Sequence, residues 1–313
     1  MKSVVIELEQ GVSAATAVAL PVEAEPLSLR ERVAAYVELT KPRITFLIVL
    51  TAAAGFGLAA PAGAFNYVTF IHSMIGIALL SSGIATLNQY MERHLDARMR
   101  RTAMRPLPTG RLTPTQALLF GTGLTLMAEA YLALLVNPLT AGLGLTVIGG
   151  YLFLYTPLKT RTSLSTAIGA FPGAMPPLMG WVAATGEVTV GAWSLFAILF
   201  LWQFPHFLAI AWMYKEDYAR AGIVMLPVIE PEGRLTAQQI VVNTLMLLPV
   251  SLVPTLLGIS GKVYFIGAII LGLLFLYTSI TCAVSKTRQQ ARRLLLASVV
   301  YLPLLFVLMV LNR

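Results

Sequence analysis

The sequence predicts an all-α polytopic membrane protein, a nine-transmembrane-helix bundle with its N-terminus inside and its C-terminus outside. Three observations carry that prediction. Of 313 residues, 57% are hydrophobic and only 12% charged, with a mean hydropathy of +0.78, against about 25% charged in soluble domains. The apolar residues come in blocks of roughly 18 or more, the length a helix needs to cross a hydrocarbon core about 30 Å thick. Lys and Arg collect on alternate connections between those blocks. A soluble enzyme and a disordered chain are excluded, and the single Cys282 excludes a disulfide-stapled secreted domain.

Taken in order, residues 1–40 are mixed in composition and are expected to form a flexible cytoplasmic tail. Within them, 28–40 reads as a candidate amphipathic helix on the membrane surface. The stretch 14–22 is too short and interrupted for a signal peptide. Residues 41–313 form the transmembrane domain. Nine apolar stretches fall at about 44–60, 68–87, 116–136, 139–155, 164–184, 192–213, 240–257, 263–284 and 294–311. Only Asn137-Pro138 separates the third from the fourth, which predicts a tight helical hairpin. Helices satisfy their own backbone in lipid, and the alternating ten-residue segments of a membrane barrel are missing.

Of the 22 Lys and Arg residues, 20 lie in the amino-terminal segment and in alternate connections on its side; Lys262 and Arg313 alone lie opposite. That asymmetry sets the topology and accounts for the formal charge of +8 without a nucleic-acid partner.

The inner face also carries the chemistry. Asn88, Glu92 and Asp96 recur every four residues at the end of the second span, each displaced by about 40° from the last on a helix, so their oxygens stack on one face. Such oxygens suit a hard cation such as Mg2+, which binds a few carboxylates together with substrate phosphates. Arg100, Arg101 and Arg105 follow at once, and guanidinium forks match phosphate geometry. Together they describe a metal-bridged diphosphate site; the competing reading is a solvated loop whose arginines set topology. Asn88 inside an apolar helix favours function, because polar groups at that depth are costly.

A second group follows the sixth span, where Lys215, Glu216, Asp217 and Arg220 again mix oxygen ligands with cations, below Gln203 and His206 in the helix. His206 reads either as a packing residue or as a ligand, base or interhelical partner. Tyr155 and Lys159 lie four apart at a helix end; Lys159 either snorkels to the interface or meets a phosphate.

These segments resemble the UbiA-type intramembrane prenyltransferases, and within them the branch acting on heme. The resemblance runs over about 39–311. It rests on LTKPR (39–43), N-x3-E-x3-D with RPLPTG (88–110), YTPLK (155–159), GAFPGAMPPLMGW (169–181), WQFPHF (202–207) and DYARAGIVMLPV (217–228). Glu92 stands where Asp is commoner, and the second acidic motif is reduced to Glu216/Asp217, which weakens the second metal position.

The resemblance implies a cavity opening laterally to lipid, capped by the two acidic loops, with farnesyl diphosphate and heme b as substrates and heme O as product. It makes Asn88, Glu92, Asp96, Arg105, Tyr155, Lys159 and Asp217 catalytic. Mg2+ is the expected cofactor, held by Asn88, Glu92, Asp96 and Asp217. Arg100, Arg101, Lys215, Arg220, Gln203 and His206 are expected to bind substrate, His206 as an iron ligand or a propionate partner ahead of His94. Between a bacterial and a mitochondrial inner membrane, the amino-terminal segment lacks an Arg-rich, acid-poor transit pattern, so a bacterial inner membrane is expected, with the site on the cytoplasmic side; heme-handling or terminal-oxidase assembly partners are expected with it. The alternatives are a prenyltransferase for an aromatic quinone precursor or chlorin, and a transporter of an anionic solute.

Overall fold

The structure is a computed structural model and describes residues 27–61 and 63–313, in which every regular element is helical. The expectation of a flexible tail over 1–26 lies outside the described residues. Helix α1 (Leu29–Leu39) opens on a reciprocal cap: the Ser28 side chain accepts from the Glu31 amide and the Glu31 carboxylate accepts from the Ser28 amide at 2.9 Å. It is docked, not free, since Gln89 donates to Leu39 O at 2.8 Å and Arg111 pairs with Glu38 at 2.8 Å. Helix α2 (Pro42–Ala59) starts abruptly, because Lys41 takes a left-handed conformation at φ 49° before a proline that disfavours a helical predecessor.

The long helices α3 (Tyr67–Asp96) and α4 (Pro114–Leu135) follow, then α5 (Pro138–Ile148). Asn137 makes the predicted hairpin: its side chain accepts from Thr140 N at 2.7 Å and donates to Val182 O at 3.1 Å. Helix α5 runs on through a π-helical turn (Gly149–Tyr155) into α6 (Thr156–Leu158). Helices α7 (Ser165–Thr185) and α8 (Val190–Met213) form the middle of the bundle, followed by the short α9 (Lys215–Ala221) and α10 (Leu226–Ile229). The last part comprises α11 (Arg234–Val250), α12 (Val253–Leu256), α13 (Lys262–Ser285) and α14 (Arg288–Leu311).

Eight of these stretches are long and apolar enough to cross a membrane, α5 to α6 counting as one; the chain is a polytopic membrane protein. The sequence predicts nine, and the difference is α7. That helix has the length, 21 residues, but carries Pro172, Pro176 and Pro177 and is buried over most of Gly169–Ala183. A helix enclosed by other helices meets little lipid, so small residues and prolines replace the leucines its neighbours carry. Its contact with α2 depends on glycine: a Cβ on Gly55 would strike the Pro177 carbonyl, and one on Gly180 the Ala52 carbonyl. Around this pair α3 packs on α2 and α4, α8 packs on α7, and α14 and α11 pack on α8 and α13.

Because the long helices alternate in direction, the start of α2 and the ends of α3, α6 and α8 meet at one end of the bundle. At the other end Arg313 donates to the carbonyls of Gly57, at 2.7 Å, and Ala60.

Candidate active site

Asn88, Glu92 and Asp96 lie on the inward face of the last two turns of α3, 2%, 7% and 1% exposed. Each meets a partner from a different segment. Lys41 donates to Asn88 Oδ1 at 3.1 Å, and Asn88 Nδ2 donates to Thr156 Oγ1 at 3.2 Å. Lys159 donates to Glu92 Oε1 at 2.5 Å, and Arg105 to Asp96 Oδ2 at 2.7 Å. Asp96 Oδ1 is buried and has no hydrogen-bond partner among the described residues.

The π turn helps to set this geometry. It brings Tyr151 and Tyr155 edge to face at 5.1 Å; one ordinary helical turn further on, Lys159 Nζ lies 4.3 Å above the Tyr155 ring. The Tyr155 ring in turn fills the place where a Cβ on Gly169 of α7 would be. Thr156 Oγ1 donates to Tyr151 O at 2.9 Å while accepting from Asn88. Extra-wide helical turns of this kind occur often at functional sites.

The two lysines along the row, Lys41 on Asn88 and Lys159 on Glu92, differ electrostatically. Burial, and then the Arg105 guanidinium, push Lys41 down to about 7 against the pull of Glu92. Burial also opposes charge on Lys159, but the adjoining Glu92 carboxylate outweighs it, with Tyr155 and Tyr151 adding, so this ammonium is held above the usual lysine range.

The second acidic motif does not join the first. Asp217 on α9 is buried but paired with Arg220 one turn on, and Glu216 is exposed. Among the described residues no three His, Cys, Asp or Glu side chains converge as a metal site. The expected four-ligand set of Asn88, Glu92, Asp96 and Asp217 is therefore not gathered: each of its three carboxylates is held by its own cation. The two loops do pack together, Leu95 and Met99 lying against Tyr218, Ala221 and Ile223. Arg101 links them further, donating to Tyr218 Oη at 3.4 Å and lying 5.5 Å from the Tyr214 ring. Burial, opposed by Arg101, raises the pKa of Tyr218. The Lys159 carbonyl ties the third segment in, accepting from Val224 N at 2.7 Å.

Other expected site residues lie elsewhere. Lys215 lies over the Trp212 ring at 5.3 Å, and Arg100 and His94 are exposed. Gln203 directs its amide protons to Ala170 O at 2.9 Å and Leu199 O at 3.2 Å, clamping α7 to α8. His206 faces α14, its Nδ1 2.8 Å from Ser298 Oγ. Lys41 and Thr156 also belong to the cluster: both lie in motifs that carry the resemblance, LTKPR and YTPLK, but neither is among the expected site residues. Their partner Asn88 is 47 and 68 residues away, and a lysine before a helix looks like any topology-setting cation. An aromatic row, Trp193, Phe196, Phe200 and Phe204, runs along α8 with neighbouring rings 5.1 to 5.8 Å apart, and Phe171 of α7 joins it at 5.3 Å.

Apolar helices around an end crowded with buried acids and bases define a membrane-embedded bundle with an ionic site at the interface. The chain belongs to the UbiA prenyltransferase family, whose model matches residues 48–307. A protoheme IX farnesyltransferase of Solibacter usitatus is 54% identical over 89% of this chain and 98% of that relative. One of Salinibacter ruber is 46% identical over 88% and 98%. Among solved structures, a digeranylgeranylglyceryl phosphate synthase superposes with a TM-score of 0.76 at 15% identity, covering 90% of this chain and 98% of its own. A UbiA homolog from Archaeoglobus fulgidus bound to GPP and Mg2+ gives 0.62 at 16%, covering 88% and 99%. The solved structures share the fold.

Proposed function

We propose that this chain transfers the farnesyl group of farnesyl diphosphate to a vinyl group of heme b, giving heme O and diphosphate. The observation that carries the reading is the buried row of Asn88, Glu92 and Asp96 interleaved with Lys41, Lys159 and Arg105 at one end of an apolar bundle. The acceptor is taken from the relatives, which are protoheme IX farnesyltransferases.

The donor set suits magnesium: three oxygen-bearing side chains in one row, with Asp96 Oδ1 a buried acceptor lacking a partner among the described residues. Asn88, Glu92 and Asp96 would hold the ion; Asp217, paired with Arg220 in this structure, would join them only on leaving that partner. A magnesium ion bound there supplies charge neutralisation for the diphosphate. The chain's own cations act on the same group. As the allylic C–O bond breaks and its electron pair leaves with the diphosphate, Arg105 and Lys159 stabilise the growing negative charge, and Lys41, whose ammonium form burial opposes, is drawn to the charged form by the same anion. Arg100, Arg101, Lys215 and Arg220 form a cationic rim outside them. Tyr155 and the aromatic row of α8 offer ring faces to the allylic cation and apolar surface to its tail. From Trp193 to Phe204 the row spans about 16 Å of helix. Trp193 and Phe207 are exposed on this side, where the expected cavity opens to lipid. The vinyl π electrons form the new C–C bond, water adds to the resulting cation, and a proton is lost. His206 contacts the heme.

The topology proposed with this reading has nine spans, α7 being the ninth such helix. The N-terminus lies inside, the C-terminus outside, α1 on the membrane surface, and the site on the cytoplasmic side of a bacterial inner membrane. Its support is the 20 of 22 Lys and Arg residues in connections on one side. Heme O leaves to a heme-handling or terminal-oxidase assembly partner. The test supplies purified protein in nanodiscs with Mg2+, farnesyl diphosphate and either heme b or 4-hydroxybenzoate. Farnesylated heme with equimolar diphosphate is expected. Prenylated 4-hydroxybenzoate alone overturns the acceptor, and no diphosphate from either mixture overturns catalysis.

A further inference from the structure

His206 is held from two sides by residues to which the reaction gives no part. Ser298 of α14 is fully buried. Its hydroxyl donates to Leu295 O at 2.6 Å and lies 2.8 Å from His206 Nδ1. A serine has one hydroxyl proton. With that proton committed to the Leu295 carbonyl, Ser298 Oγ accepts from His206, so the neutral imidazole carries its proton on Nδ1 and its lone pair on Nε2. Trp202, one turn before His206, fixes the ring plane. Its indole stacks on the imidazole at 4.6 Å and 23°, and its Nε1 donates to Ser298 O at 2.9 Å. Among the described residues Nε2 has no hydrogen-bond partner, and it is not one of the sealed unpartnered atoms.

We infer that Ser298 and Trp202 are positioning residues that hold His206 with its Nε2 lone pair toward the iron of the porphyrin substrate. The inference rests on the reading above that His206 contacts heme, and it decides between two modes of contact. A propionate needs a donor, whereas this tautomer offers Nε2 only as an acceptor, the form that ligates iron. Groups that orient a ligating histidine in this way are worth 10- to 100-fold in metal affinity.

The experiment titrates the purified full chain in nanodiscs with ferric heme b, and separately with metal-free protoporphyrin IX, without farnesyl diphosphate. Absorption and electron paramagnetic resonance report the iron ligand. The wild type is expected to show a histidine-ligated spectrum, lost in His206→Gly and restored by added imidazole. Ser298→Ala is expected to weaken heme binding about tenfold and perturb the spectrum while leaving metal-free porphyrin binding unchanged; Ser298→Thr, which keeps the hydroxyl, restores both. Trp202→Phe keeps a stacking ring without the indole donor and falls between. If His206→Gly leaves the ligand spectrum intact, or the wild type has none, the heme-contact reading fails. If His206→Gly abolishes it but Ser298→Ala matches the wild type, the positioning inference alone fails. Equal loss of iron and metal-free porphyrin in Ser298→Ala also overturns it, since the serine would then act on the fold and not on the iron.

Discussion

The two acidic motifs face the same problem, carboxylates near a membrane, and meet it differently. The first is built into a 30-residue helix, and its acids take Lys159 and Arg105 from separate segments. The second sits on a seven-residue helix, and Asp217 takes Arg220 from its own next turn, with a side chain 42% exposed. The first arrangement is fixed by the tertiary fold; the second is local, within one short helix. On the proposed function, a site that must stabilise charge only as a bond breaks gains most from the half fixed by the fold.

The sharpest test of this contrast is Asp96→Asn, which removes a ligand charge and the Arg105 partner together. Turnover of farnesyl diphosphate with heme b should fall by about 10²- to 10³-fold or more in protein that still elutes as a folded species; wild-type turnover at saturating Mg2+ would contradict it. Lys159→Met should cost about 10² in turnover. It should also lower the melting temperature in detergent, because Glu92 is left buried without its partner, a loss of about 3–5 kcal/mol for such pairs. Adding Glu92→Gln should recover the stability but not the rate, and a double-mutant cycle measures the difference. Asp217→Asn should cost only about tenfold, mostly as a raised Mg2+ requirement, since its cation is largely solvated. The smallest effect is expected for Lys215→Ala, within about threefold in initial rate, because that ammonium lies over Trp212 and not on the acids. An Asp217→Asn loss as large as that of Asp96→Asn would erase the distinction between the halves.

Most of the candidate site is visible in the chain because it follows helical periodicity. Asn88, Glu92 and Asp96 share a face by their spacing alone, and Tyr155 and Lys159 meet for the same reason. Gln203 shows where that logic ends: its position in an apolar helix marks it as polar and buried, but not that α7 takes it as a clamp. Lys41 and Thr156 lie in the motifs LTKPR and YTPLK, but their contact with Asn88 has no local signal, since Asn88 is far away in sequence.

Apolar block length and the placement of Lys and Arg determined, from the sequence alone, an all-helical membrane bundle and the end at which its ionic residues gather, because burial in lipid and charge at the interface act residue by residue. Only the tertiary structure decided that α7 runs through the interior, that Lys159 pairs with Glu92, and that Asp217 pairs with Arg220 and not with the first motif. Those outcomes depend on which helices become neighbours, and that is fixed by backbone approach at positions such as Gly55 and Gly180 and not by any single segment's pattern.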